Sequence, residues 1–180
     1  MRNLYYSHVY PHLIGSITVW GTDEQNKQYI QPLIKTQKKI IRLLKNLPPN
    51  THTTPIMQEL KILNITNLYK LRTAVEIHPH IHHNTNEQKT NRPEHDHQYT
   101  PTTQIHNHQT RLTNQQLHYI PNPNLLKQAK KTNRKATHTA KHLNTKYIRI
   151  WNELPIELRE IKNINKFKHE LKQHILEQQN

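Results

Sequence analysis

The sequence predicts a mainly α-helical protein: a small helical lobe over residues 1–78, a long polar low-complexity middle over 79–144, and a short strand plus a C-terminal helix over 145–180. Three observations predict this. Leu, Ile, Val, Trp and Phe are concentrated in 1–78 and 145–177, so a core has to be built from the two ends. Apolar side chains recur at helical spacing in 30–46 and again in 164–177. The middle is rich in His, Asn, Thr, Gln, Lys and Pro and has almost no periodicity, which predicts a largely disordered linker.

The elements follow in order. Residues 4–20 carry Leu4, Tyr5, Tyr6, Val9, Leu13, Ile14 and Ile17, with Pro11 among them. Proline removes an amide donor and crowds the preceding turn, so a helix, a disturbance at Pro11 and a second short helical piece ending near Trp20 are expected. In 30–46, Leu33, Ile34, Gln37, Ile40, Ile41 and Leu44 fall on one face, and Lys35, Lys38, Lys39, Arg42 and Lys45 on the other. Pro32 sits near the start of this helix and Pro48-Pro49 stops it. Thr54-Pro55 reads as a cap and first-turn proline opening a short helix through Leu60. Asn64 or Thr66 would cap the next helix, which carries Leu68, Leu71, Ala74 and Val75 and ends before Pro79. Residues 146–151 alternate and read as a short strand. The final helix, 164–177, has Ile164, Phe167, Leu171 and Ile175 as its stripe, and its glutamates make this end a packing element.

Composition narrows the function classes. Only 32% of the 180 residues are apolar, against roughly 45–50% in ordinary globular domains. Lys and Arg number 26 against 12 acids, a formal charge of +14. That excess attracts polyanions by steering and counterion release. A G-poor coding strand accounts for part of the acid deficit, since Val, Ala, Asp, Glu and Gly together total 21 of 180 residues. No acid lies between Glu24 and Glu59, so the basic helix face is unneutralised locally. None lies between Asp96 and Glu153, where Arg111, Lys130, Lys131, Arg134 and Lys135 form a second basic stretch.

Autonomous chemistry is hard to build from these residues. Two-metal phosphoryl chemistry needs converging carboxylates, and the sole aspartates, Asp23 and Asp96, are far apart. Gly15 and Gly21 cannot make a phosphate-cradling loop, and the absence of cysteine excludes disulfides and thiolate zinc sites. Catalytic residues, cofactors and metal ligands are therefore assigned to none. The histidines at 78, 80, 82, 83, 95, 97, 106 and 108 leave a metal-binding alternative open. With no apolar signal core and no run long enough to span a bilayer, an intracellular chain, nuclear or cytoplasmic, is expected.

A succession of islands adds a resemblance. They run from Leu4-Tyr5-Tyr6, Tyr10-Pro11-His12-Leu13 and Val19-Trp20-Gly21 to Pro32-Leu33 and Gln37-Lys38-Lys39-Ile40-Ile41-Arg42. Next come Leu60-Lys61-Ile62-Leu63 and Leu68-Tyr69-Lys70-Leu71. After the middle follow His106-Asn107-His108-Gln109-Thr110-Arg111, Trp151-Asn152-Glu153-Leu154-Pro155 and Phe167-Lys168. This order resembles the thumb and post-palm region of reverse transcriptases from non-LTR (LINE-type, jockey-like) retrotransposons. Gly15 and Ser16 depart from the family's tyrosine and glycine after the Pro-His-Leu segment. The family's palm aspartate pair and the zinc knuckle of some relatives have no counterpart in this chain. The resemblance implies a fragment of an RNA-directed DNA polymerase whose thumb-like lobe contacts the backbone of RNA or an RNA–DNA duplex, next to a palm domain outside this chain. A structural or interaction remnant without independent activity is the alternative.

Overall fold

Proline at position 11 shapes the start of the chain. Its ring crowds the carbonyl four residues back, and it has no amide to donate. The preceding turn widens in response: Arg2–Leu4 (α1) leads into a π-helical turn, Tyr5–Val9, before Tyr10–Ile14 (α2). The Tyr10 amide donates to the Tyr5 carbonyl five residues back, the register of a π-bulge. Ile17–Trp20 (α3) follows. The computed structural model describes residues 2–15, 17–20, 27–82, 99–101, 119–121 and 147–179. Within them the protein is mainly helical.

The amphipathic helix α4 spans Lys27–Leu44, so Pro32 lies inside it and not at its first turn. It ends in a Schellman motif. Asn46, at φ 52, takes the left-handed position. Its amide donates to Leu43 O at 3.1 Å, and that of Leu47 to Arg42 O at 2.9 Å. α5, Thr54–Glu59, has Thr53 at the N-cap position, one residue before the expected cap. A second Schellman motif closes it. Lys61 sits at φ 53, its amide donates to Gln58 O, and the Ile62 amide donates to Met57 O at 2.8 Å.

Asn64 is the cap of α6, Ile65–His82, and its Oδ1 accepts the Asn67 amide at 2.8 Å. The helix does not stop before Pro79 but runs through it. Loss of one hydrogen bond near the end is offset by burial on both sides of the proline: Ile77, His78 and Ile81 are all buried. Tyr99–Pro101 (β1) and Tyr119–Pro121 (β2) pair antiparallel, Thr100 opposite Ile120.

The strand expected at 146–151 is a correction. Residues 147–152 (α7) are helical. Tyr147, Ile148 and Trp151 are buried, a one-face spacing only a helix produces. The Glu153 amide donates to Arg149 O at 3.0 Å, and the two side chains pair at 3.1 Å. Pro155 opens α8, Ile156–Arg159. The last helix, α9, covers Ile164–Glu177, and Asn163 Oδ1 accepts the amides of Asn165 and Lys166, both at 3.0 Å.

The chain divides into two compact units, residues 1–72 with 168–180 and residues 73–167, the divisions falling within α6 and α9. In the first, Tyr5, Ile17, Ile41, Ile62, Leu68 and Leu171 are buried; in the second, Ala74, Ile77, Ile148, Trp151, Leu158 and Phe167. Among the described residues, no helix is long and apolar enough to cross a membrane.

Candidate nucleic-acid interface

The basic face of α4 starts from the helix period. At about 100° per residue, Lys35, Lys38, Lys39, Arg42 and Lys45 fall within an arc of roughly 120°. The opposite side is fixed by Ile41, fully buried, and by Gln37, 1% exposed. Gln37 Nε2 donates to Tyr5 Oη at 2.8 Å and to the Leu63 carbonyl at 2.9 Å. A glutamine in an apolar stripe thus joins three segments of the first unit and sets the helix's rotation. Burial pushes the Tyr5 hydroxyl up to about 12, with the Gln37 hydrogen bond pulling the other way.

The five cations are not equivalent. Lys35, Lys38 and Lys39 are exposed. Among the described residues, neither an acid nor a side-chain hydrogen bond engages them. Arg42 is half-buried, and its Nε donates to Thr51 O at 2.8 Å, behind the Schellman turn. Lys45 Nζ meets Glu59 Oε1 at 2.6 Å. Glu59 is the first acid after the long acid-free stretch, and the turn between α4 and α5 folds it back onto the basic helix. The free surface is therefore the lysine triplet, with Arg42 acting partly as a brace. Arg111, Lys130, Lys131, Arg134 and Lys135 lie outside the described residues.

The sequence reading missed a second basic feature. Tyr5, Tyr6, Tyr10, Leu63, Leu68, Leu71, Lys168 and Lys172 line a cavity of about 180 Å³ in the first unit. The Tyr6 and Tyr10 rings stand 5.1 Å apart, and Lys172 Nζ lies 5.1 Å from the Tyr6 ring centre. Two i,i+4 pairs, Tyr6 with Tyr10 and Lys168 with Lys172, were visible in the sequence. Their convergence from opposite ends of the chain was not.

In the second unit, His78 is buried and its Nε2 donates to Ile161 O at 2.6 Å. A carbonyl only accepts, which fixes the neutral tautomer with hydrogen on Nε2. The ring lies 4.4 Å from that of His82 and 4.5 Å from that of Phe167. His78 is thereby committed to packing. Among the described residues no group of three or more His, Asp or Glu is placed to hold a metal. The remaining histidines of the 83–108 cluster lie outside them. Compared with protein-family models, curated proteins and solved structures, the chain has no match.

Proposed function

We propose that this chain is a non-catalytic module that contacts the sugar–phosphate backbone of RNA or an RNA–DNA duplex through α4. In this reading it corresponds to the thumb and post-palm portion of a jockey-like reverse transcriptase and works beside a palm domain outside this chain. The supporting observation is the lysine triplet Lys35, Lys38 and Lys39, exposed and unpaired among the described residues, on a helix locked from behind by Ile41 and Gln37. A rigid cationic row grips phosphates as a unit, positions a duplex and reads no bases.

The alternative of a bare packing remnant would draw support from a contiguous apolar patch. The exposed large apolar side chains among the described residues are Leu4 on α1, Leu43 on α4, Ile156 on α8 and Ile164 on α9, one on each element.

The test is salt-dependent binding to an RNA–DNA hybrid and to single-stranded RNA. Three engaged lysines contribute about −2 to −3 to the log–log salt slope, and the basic middle adds to it. The K35E/K38E/K39E variant is expected to flatten the slope by that amount and to weaken binding alike for unrelated sequences. Unchanged affinity and slope would remove α4 from the interface.

A further inference from the structure

The cavity between the first helices and α9 has a chemistry that backbone binding alone does not use. Leu63, Leu68 and Leu71 supply apolar lining, Tyr6 and Tyr10 supply half-exposed rings, and Lys168 and Lys172 supply cations. Among the described residues the lining contains no acid. Arg2 adds a guanidinium 5.7 Å from the Tyr6 ring centre. At about 180 Å³ the space is smaller than the roughly 300–1,000 Å³ of sites that enclose a whole small molecule. It fits one planar ring.

The rings are held in place. Tyr6 Oη donates to the Lys61 carbonyl at 2.9 Å and accepts from Lys172 Nζ at 3.1 Å. Tyr5 stands edge-on to Tyr6 at 5.5 Å. Burial raises the Tyr10 hydroxyl above its ordinary value of 10.0, against a lowering effect of Arg72. With the Tyr5 and Tyr10 hydroxyls both raised above their ordinary value and no acid among the described lining residues, Lys168 and Lys172 set the charge of the cavity wall.

We propose that this cleft holds one unpaired nucleotide of a single strand, its base against Tyr6 and Tyr10 and its phosphate on Lys168 and Lys172. Aromatic faces with flanking cations accept any base, because every base offers a π-face. The proposal deepens the backbone-binding reading and rests on it for the strand's approach. It adds a preference for unpaired over duplex ends, which a row of lysines cannot supply.

The experiment compares two eight-nucleotide strands of equal charge on the full chain, one of uridines and one abasic. The base-bearing strand is expected to bind about tenfold more tightly, the ratio of one stacked base. Tyr10→Ala should bring the ratio to about one and Tyr10→Phe should preserve it. The K35E/K38E/K39E variant should weaken both strands equally and leave the ratio intact. If that variant changes nothing while the tenfold ratio stands, the α4 reading fails and the cleft survives. Equal binding of the two strands by the unaltered chain overturns the cleft whatever α4 does. A 4-thiouridine strand cross-linked to the unaltered chain should attach at Tyr6 or Tyr10; attachment only elsewhere overturns the proposal without any variant.

Discussion

Two buried polar side chains do specific work because each has defined partners. Gln37 spends both amide hydrogens, one on Tyr5 and one on Leu63, so the apolar face of α4 has one admissible rotation. His78 is the pH-sensitive counterpart in the second unit. Its pKa is lowered from the ordinary 6.5, first by burial, with the Ile161 carbonyl opposing. That of His82 is lowered by burial and then by His78, with Lys162 adding a smaller push in the same direction. The sign follows from linkage. Well above the ordinary 6.5 both rings are neutral in folded and unfolded chains, and neither affects stability. As pH falls through 6.5, the unfolded chain takes up protons that the folded one refuses. Stability therefore declines and levels off below the folded values. The urea midpoint is expected to be lower at pH 5.5 than at pH 7.5, and His78→Phe should shrink that difference while His82 sustains the rest. A midpoint that rises on acidification would contradict this account.

At the scale of elements, α4 and α5 stop without glycine. Asn46 and Lys61, the described residues with positive φ, each occupy the left-handed position of a Schellman motif. Asparagine tolerates that conformation, whereas a lysine there carries roughly 1–2 kcal/mol of backbone strain. Lys61→Gly relieves it at the expense of added freedom in the unfolded chain, for a net gain of about 0.5–1 kcal/mol and a thermal midpoint a few degrees higher. The Tyr6 bond to the residue-61 carbonyl is retained, because it uses backbone. A melt showing no gain would mean the turn is not strained.

These elements also show what sequence could reveal. α4 and α9 announce themselves through Leu33, Ile41, Phe167 and Leu171, whose period is local. The lysine triplet is legible for the same reason. The engagement of Lys45 is not, because Glu59 reaches it through a turn whose geometry depends on Asn46. The 146–151 segment misleads because Ile148 and Ile150 alternate with Arg149, a strand-like pattern. Burial of Tyr147 with Ile148 and Trp151 settles the conformation, and that is tertiary information. Pro79 misleads likewise, since its local penalty is outweighed by neighbours remote in sequence.

For the whole molecule, the first unit is assembled from both ends of the chain. Gln179, 4% exposed, closes it. Its backbone carbonyl accepts from Gln58 Nε2 at 2.6 Å, and its Oε1 accepts from the Asn64 amide at 3.0 Å and Asn67 Nδ2 at 3.1 Å. Its Nε2 donates to Ile62 O at 3.2 Å. Gln179→Ala strands three of these partners and is expected to destabilise the first unit by about 2–3 kcal/mol, read as a shift in the urea midpoint. A shift within about 0.5 kcal/mol would show that solvent replaces the glutamine at little cost.

This closure has a bearing on biosynthesis. A ribosome delivers α4 with its lysines long before it delivers Lys168, Leu171 or Gln179. Until those late residues emerge, Gln58, Ile62, Asn64 and Asn67 lack the partner that Gln179 gives them, so the nascent segment presents its lysines before the first unit is closed.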